Sequence, residues 1–302
     1  MKRVIMFSGQ GSQAEGMGVS LAGNSAKAKE VFDTASQILG FDLLDKCANA
    51  PAEELAKTVI AQPAIMAVSL AGACALLEKG IEATAAVGHS LGEYAALVYT
   101  GIVSLEDGFR LIKARSEAMQ KAADSSDGVM YAIIGKTAEE IEAVCEKTEG
   151  YVLPVNYNSA VQTVIAGEAE PAKAAADALA EAGARAIKLN VASAFHSKLM
   201  QPAADEFLQF AKTVTYNAPK ITMLSNITGA PITDCENAAE RLAAHIVSPV
   251  RFTDEIYWLE KNGFEQFIEC GPGKTLTGLV RKTVKNVALA NIQTFDDVQA
   301  LS

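Results

Sequence analysis

A serine stands where it could act as a nucleophile, in the sequence Gly88-His89-Ser90-Leu91-Gly92. The apolar residues before it predict a short strand, and a helical pattern follows from Leu91 to Thr100. This Gly-x-Ser-x-Gly arrangement is typical of the nucleophile elbow, a tight strand-to-helix turn that raises the serine hydroxyl above a sheet. The helix N-terminus beside Ser90 would favour a developing oxyanion. We therefore predict a catalytic serine rather than a serine in an ordinary glycine-rich turn.

The chain offers three histidines as a general base for this serine. His89 precedes Ser90 directly, so its side chain should point away from the hydroxyl. His196 follows a predicted strand and precedes an amphipathic helix, at a predicted domain boundary where catalytic groups are often held. His245 lies on an apolar helix and is predicted to be structural. We expect His196 to be the base, with a surface or capping histidine as the alternative, and no orienting carboxylate can be singled out among 36 acidic residues.

Arg115 lies on the apolar face of the helical segment from Leu105 to Lys121. Arginine cannot shed its charge, so a guanidinium in such a stripe needs an anionic partner. That partner could be a buried acidic side chain, or the head group could instead extend to solvent. A bidentate clamp on a substrate carboxylate is the functional alternative, and the sequence leaves these readings open.

Two further motifs predict no cofactor. The segment from Gly9 to Ala14 fits G-x-G-x-x-A, but the acidic residues at the required distance, Glu30 and Asp33, lie within a helical pattern. The segment Gly271-Pro272-Gly273-Lys274-Thr275 resembles the end of a phosphate-binding loop, but Ile268 stands where that loop needs glycine. No metal ligand set is recognisable either.

Composition limits the class of protein. The chain has 302 residues and a net charge of −10, which argues against nucleic-acid binding. No apolar run long enough for a membrane span is expected, and the apolar run near Met1 is too short for a signal peptide. The five cysteines are widely spaced and form no C-x-x-C pair, which favours a reducing cytoplasm and argues against zinc.

Strand and helix patterns alternate along the chain and predict an α/β fold. Pro63 is predicted to open an apolar helix that ends at Gly80. A polar break near Gly128 is followed by a β-α-β-β-α-β order, which is ferredoxin-like. We predict a discontinuous main domain of residues 1–125 and 193–302, with a parallel sheet, and an inserted small domain of residues 126–192.

Taken together and in this order, six motifs make the chain resemble malonyl-CoA:acyl carrier protein transacylases of bacterial type II fatty-acid synthesis, over nearly its whole length. These motifs are Gly9-Gln10-Gly11-Ser12-Gln13, Gln62-Pro63-Ala64, Gly88-His89-Ser90-Leu91-Gly92-Glu93, Arg115, Phe195-His196-Ser197 and Gly271-Pro272-Gly273-Lys274. The resemblance implies an α/β-hydrolase-like main domain.

The resemblance also implies site roles. Ser90 would be the nucleophile and His196 the base, and the amides of Gln10 and Leu91 would form the oxyanion hole. The substrate-binding residues implied are Arg115 for the malonyl carboxylate, Gln62 in the same pocket and Phe195, whose ring would crowd an α-methyl group. A main-chain carbonyl orients the histidine in this family, and here it would belong to His245, where the family usually has glutamine.

The implied reaction is ping-pong transfer of malonyl from malonyl-CoA to holo acyl carrier protein, without a cofactor, by a cytoplasmic protein that we expect to be a monomer. An acidic carrier would need a cationic rim on this acidic chain, and the candidates are Lys188, Lys198, Lys274, Arg281, Lys282 and Lys285. A serine thioesterase or carboxylesterase, a non-catalytic acyl-binding subunit and a polyketide-type acyltransferase remain the alternatives.

Overall fold

The computed structural model describes residues 1–301, which form two β-sheets surrounded by helices. The strands are β1 (Lys2–Phe7), β2 (Ala85–Gly88), β3 (Val129–Ile134), β4 (Val152–Ser159), β5 (Gln162–Gly167), β6 (Arg185–Lys188), β7 (Thr222–Ser225), β8 (Ala230–Pro231), β9 (Phe264–Cys270) and β10 (Ala288–Ile292). The helices of the first half are α1 (Val19–Asn24), α2 (Ala26–Leu39), α3 (Leu43–Asn49), α4 (Ala52–Leu55), α5 (Thr58–Glu78), α6 (Gly92–Tyr99), α7 (Leu105–Ala123) and α8 (Ala138–Lys147). Those of the second half are α9 (Ala169–Glu181), α10 (Gln201–Ala211), α11 (Ala238–Val247), α12 (Phe252–Lys261), α13 (Thr275–Thr283) and α14 (Phe295–Ala300).

The larger sheet has six strands in the order β10-β9-β1-β2-β7-β8. All of its neighbouring strands are parallel except β7 and the short edge strand β8. Helices cover it, so its central strands are apolar on both faces, as parallel sheets require. The predicted α/β class with a parallel sheet is confirmed. The carboxyl ends of β1 and β2 lie side by side, with Phe7 paired to Gly88, which brings the Gly9 loop next to the serine turn.

The smaller sheet is antiparallel, in the order β4-β5-β3-β6. With α8 and α9 it has the β-α-β-β-α-β order predicted from the sequence, and its strand order is consistent with a ferredoxin-like unit. The sequence pattern predicts the last strand of this unit from Ala186 to Val191, whereas β6 ends at Lys188. The exact limits of the two domains remain a prediction.

Helix α5 differs from its prediction at the N-terminus. It begins at Thr58, and Pro63 lies inside it rather than at its start. Proline lacks the N–H that would bond the carbonyl of Val59, and burial of the helix on all sides outweighs that loss. The helix is also long and apolar enough to cross a membrane, contrary to the expectation above, but 83% of its apolar window is buried inside the protein. It is the central helix of the core.

Two glycines permit the turn between β2 and α6. A Cβ atom on Gly88 would lie 1.9 Å from the carbonyl carbon of Gly92, and one on Gly92 would lie 2.2 Å from the carbonyl oxygen of Phe7. Both contacts are with backbone, which cannot rotate away as a side chain can. The close approach of β1, β2 and α6 therefore depends on glycine at these positions.

We predict that Gly92→Ala lowers the free energy of unfolding by about 3 kcal/mol or more, because the added methyl overpacks against the backbone of Phe7. The matched control is Gly23→Ala in α1, whose Cβ would have no heavy atom within 4 Å. This control should be neutral or slightly stabilising, since alanine favours a helix. Chemical denaturation of both variants checks the prediction, and equal stabilities would contradict it.

Candidate active site

Ser90 lies at the turn between β2 and α6, with a backbone φ of 53°. This left-handed conformation is uncommon for a residue with a side chain, and it is often found where a turn serves a function. It lifts the hydroxyl out of the turn at the N-terminus of α6. His89 points elsewhere, as predicted: its Nε2 lies 2.7 Å from Asn158 Oδ1 and its ring packs edge-on against Phe252.

The structure brings Ser90 and His196 together across 106 residues of sequence. Their Oγ and Nε2 atoms are 2.7 Å apart. The Nδ1 atom of His196 faces two carbonyl oxygens, those of His245 at 3.0 Å and Ser248 at 3.1 Å. Carbonyls only accept, so Nδ1 carries the proton and Nε2 is free to accept the serine proton. The pair therefore has the tautomer that a general base needs.

The orienting carbonyls come from the end of helix α11. The last four carbonyls of a helix have no partner within it, and His245 is one of these residues. The helix stops there because Pro249 cannot continue it and holds Ser248 in an extended conformation. The negative end of the helix dipole thus faces His196, where it would stabilise a positive charge gained during reaction.

His196 is neutral in the resting protein. Burial, and next the positive charge of Arg115, lower the pKa of His196 to about 3. Its hydrogen bonds to the two carbonyls oppose this effect but do not outweigh it. The imidazole therefore has a free lone pair for the serine proton over the whole physiological pH range.

Arg115 is fully buried and reaches the same serine. Its Nη2 donates to Ser90 Oγ at 3.2 Å, its Nη1 donates to Gln62 Oε1 at 2.7 Å, and its guanidinium lies over the ring of Tyr94. Within residues 1–301 no carboxylate forms an ion pair with it, and its Nε has no hydrogen-bond partner. Neither the internal salt bridge nor the solvent-exposed head group is therefore observed. The side of the guanidinium that carries Nε and Nη2 therefore presents a buried positive charge beside Ser90.

The structure places Gln10, Leu91 and Gln62 around this pair. Gln62 Nε2 donates to Gln10 Oε1 at 3.3 Å, and a Cβ on Gly9 would lie 2.8 Å from the carbonyl oxygen of His89, so the Gly9 loop packs on the elbow. Leu91 begins α6 directly after Ser90. Among the described residues, the amides of Gln10 and Leu91 donate to no protein acceptor. Both remain available to a ligand oxygen.

A cleft of about 440 Å³ opens over Ser90 and His196, between the two sheets. Gln10 and Phe195 line it, whereas Arg115 and Gln62 are not among its lining residues. The smaller sheet supplies one side, with residues such as Asn156 and Val164. Helix α13 and the loop before it supply another, formed by Lys274, Thr275, Leu276, Gly278, Leu279 and Lys282.

Two of the predicted cationic residues, Lys274 and Lys282, thus lie at the cleft itself. The other four are exposed but are not among the cleft residues; they are Lys188, Lys198, Arg281 and Lys285. The ammonium group of Lys198 lies over the ring of Tyr151. Helix α13 is anchored by Glu269, whose carboxylate accepts from the amides of Leu276 and Thr277 at its N-terminus.

Asn226 is a site residue that sequence reasoning missed. It follows β7 and is fully buried, and its Oδ1 accepts from the amide of Ser90 at 2.7 Å. Its Nδ2 donates to the carbonyl of Gly88 at 2.6 Å, so one side chain binds both ends of the elbow. The only signal in the sequence is a polar residue directly after the segment Thr222 to Ser225, whose pattern predicts a strand, because α/β sheets place their sites at strand ends.

A parallel sheet that carries a Gly-x-Ser-x-Gly turn, with a histidine on the serine hydroxyl, is typical of α/β-hydrolase-like enzymes. Comparison with known proteins narrows this class. Residues 4–298 match the model of the acyl transferase domain. The chain is 39% identical to the malonyl CoA-acyl carrier protein transacylase of Escherichia coli K12 over 284 residues, 93% of this chain and 92% of that protein.

Solved structures agree. An acyl carrier protein S-malonyltransferase from Vibrio cholerae superposes with a TM-score of 0.95, with 38% identity and full coverage of both chains. A malonyl-transacylase in complex with a holo type II polyketide synthase acyl-carrier protein has a TM-score of 0.94 and 36% identity, covering 99% of this chain and 98% of that one. The chain therefore belongs to the acyl transferase family, in its group of malonyl CoA-acyl carrier protein transacylases.

We predict that Ser90 stays reactive in mild acid. Because the pKa of His196 is lowered to about 3, the base is unprotonated until the pH falls close to that value. The rate at which a fluorophosphonate probe labels Ser90 should therefore change little between pH 8 and pH 5, with Ser90→Ala as the unlabelled control. Circular dichroism at each pH establishes that the protein is folded. A midpoint near the ordinary histidine value of 6.5 would show that burial does not shift this base.

Proposed function

We propose that this protein transfers the malonyl group from malonyl-CoA to the phosphopantetheine thiol of holo acyl carrier protein through a malonyl-serine intermediate. The observation that carries the proposal is the convergence of a base and a buried cation on one hydroxyl: His196 Nε2 at 2.7 Å and Arg115 Nη2 at 3.2 Å from Ser90 Oγ. A hydrolase needs the base but has no use for the buried cation. An enzyme that transfers dicarboxylic acyl groups has a use for both the base and the buried cation.

In the first half-reaction Ser90 Oγ attacks the thioester carbonyl carbon while its proton passes to His196 Nε2. The tetrahedral oxyanion would be bound by the amides of Gln10 and Leu91, which have no other acceptor in the described chain. The carbon–sulfur bond then breaks, and the imidazolium returns its proton to the CoA thiolate. The products are free CoA and a malonyl ester on Ser90.

In the second half-reaction the carrier's phosphopantetheine thiol takes the place of CoA. His196 accepts the thiol proton, the sulfur attacks the ester carbonyl, and the proton returns to Ser90 as the C–O bond breaks. The phosphopantetheine arm would enter through the cleft that opens over Ser90 and His196. Lys274 and Lys282 at the cleft, with the more distant cationic residues, provide charge opposite to that of an acidic carrier. The relative in complex with a holo carrier supports this partner.

Arg115 would select the acyl group. The malonyl carboxylate would form a bidentate pair with the Nε–Nη2 edge and supply the anion that this buried cation lacks in the described chain. An acetyl group brings no charge and leaves the cation unpaired. Phe195, buried beside the base and lining the cleft, would crowd an α-methyl substituent, so we expect methylmalonyl-CoA to react poorly.

The reaction as proposed uses only side chains, backbone amides and the two thiols, and we propose that it needs no cofactor or metal. We also propose that the protein acts as a monomer in the cytoplasm. The five free cysteines support a reducing location.

Intact-mass spectrometry after brief incubation with malonyl-CoA tests the proposed reaction. We expect a malonyl adduct that is absent in Ser90→Ala, persists in buffer and disappears when holo acyl carrier protein is added, with malonyl appearing on the carrier. Apo carrier, which lacks the thiol, is the matched control and should leave the adduct in place. Steady release of CoA without an adduct would indicate a hydrolase, and neither product would indicate a non-catalytic acyl-binding protein.

We predict that Arg115→Ala removes the preference for malonyl. The variant should lose at least about 10²-fold in the rate of malonyl adduct formation, because a charged pair in a buried site is lost. Adduct formation from acetyl-CoA should fall far less or rise. Competition between the two thioesters, read by mass, measures the ratio directly. An unchanged ratio would remove Arg115 from the selection of substrate.

A further inference from the structure

His245 is linked to both members of the serine–histidine pair, directly to His196 and through Asn226 to Ser90. Its backbone carbonyl accepts from His196 Nδ1 at 3.0 Å. Its side-chain Nε2 lies 3.1 Å from Asn226 Oδ1, and that same oxygen accepts from the amide of Ser90 at 2.7 Å. One residue of α11 is thus connected to the base directly and to the nucleophile's backbone through one amide side chain.

The direction of these hydrogen bonds follows from what each group can do. Asn226 Nδ2 faces the carbonyl of Gly88 at 2.6 Å and a carboxylate oxygen of Glu255 at 3.0 Å, which both accept. Its Oδ1 faces the amide of Ser90, which can only donate. The amide group therefore cannot be flipped, and Oδ1 is an acceptor toward His245 as well. The Nε2 atom of His245 must carry the proton.

We propose that the side chain of His245 is a positioning residue: as the Nε2–H tautomer it holds Asn226, and through it the amide of Ser90, while its carbonyl holds the base. The inference rests on the proposed function, because the elbow it orders is the one that would carry the acyl group. It assigns a role to a side chain that the reaction itself does not use. A single residue of helix α11 then positions both reacting groups, the hydroxyl of Ser90 and the imidazole of His196.

The surroundings of His245 favour a neutral imidazole in this role. Burial, followed by the nearby His196 and the charge of Arg115 on α7, lowers the pKa of His245 well below its ordinary value. The acidic groups that face this cluster are Glu93 of α6, with Oε2 at 3.8 Å from Nε2, and Glu255 of α12. Burial raises the pKa of both carboxyls, to about 7 for Glu93. A neutral donor can order Asn226 without placing a second cation beside His196, whose ring centre is 5.4 Å away.

The tautomers are the first test, because they can be read in the resting protein without any substrate. Nitrogen-15 labelling of the three histidines, with long-range proton–nitrogen spectra, distinguishes Nδ1–H from Nε2–H. We expect opposite tautomers, Nδ1–H for His196 and Nε2–H for His245, with both rings neutral at pH 7. His245→Gln removes one set of signals and assigns it. An Nδ1–H or doubly protonated His245 would overturn the proposal.

Substitution is the second test. His245→Phe keeps a ring but has no donor, whereas His245→Gln keeps a side-chain N–H, and both keep the backbone carbonyl. We expect His245→Phe to lower the kcat of malonyl transfer by about 10–100-fold with little change in KM, because the nucleophile is misplaced rather than the substrate. His245→Gln should restore most of the rate. Ser69→Ala, which removes a buried hydroxyl without a partner in the described chain, is the control and should react normally.

The outcomes separate this inference from the proposed function. Equal rates for His245→Phe, His245→Gln and the unmodified protein would overturn the positioning role while malonyl transfer stands. Failure of the unmodified protein to form a malonyl adduct would overturn the proposed function, and the tautomer experiment would still decide what the His245 side chain does. If His245→Phe does not fold, the spectra of the unmodified protein decide the question.

Discussion

The left-handed backbone of Ser90 is the constraint on which the site depends. A residue with a side chain held in this region costs about 1–3 kcal/mol and persists only where its surroundings impose it. Here Gly88 and Gly92 let three backbone segments approach to distances that exclude a Cβ atom, and Asn226 binds the elbow at both ends. The sheet, α6 and the loop after β7 therefore together hold Ser90 in this conformation. The base, the cation and the cleft are arranged around the hydroxyl of this residue.

Electrostatics in the site follow from the burial of Arg115. Its guanidinium cannot lose its charge, and within the described chain it has an amide oxygen and a hydroxyl as partners but no carboxylate. The same charge helps to keep His196 neutral in the resting state, with a lone pair free to accept a proton. An anionic acyl group would neutralise the cation as it binds, and the proton affinity of His196 would rise when the reaction requires it. The unpaired buried cation thus lowers the stability of the empty protein, while it favours the binding of an anion.

The parts of the site that sequence reasoning predicted have local signatures, and the missed parts do not. Five residues, Gly-x-Ser-x-Gly between a strand and a helix, are enough to predict the nucleophile. His196 could be predicted as the base because the chain has only three histidines to compare. Asn226 was missed, because its bond to Ser90 joins positions 136 residues apart and its one signal, a polar residue directly after a strand, is shared by many residues without a role in a site. In the fold, the order of strands and helices along the small domain was predicted from their alternating patterns. By contrast, Thr58 rather than Pro63 begins α5, because burial on all sides overrides local propensity.

A carbonyl in place of a carboxylate behind the base fits the charge of the acyl group. An aspartate facing His196 Nδ1 would add a buried negative charge on the far side of the imidazole ring from Ser90. In a buried site that charge would repel the malonyl carboxylate and oppose the attraction of Arg115. The carbonyls of His245 and Ser248 orient the ring with dipoles only, and they leave Arg115 without an internal anion as competitor. A serine–histidine pair oriented by carbonyls therefore suits a site for anionic acyl groups, and the end of helix α11 supplies those carbonyls.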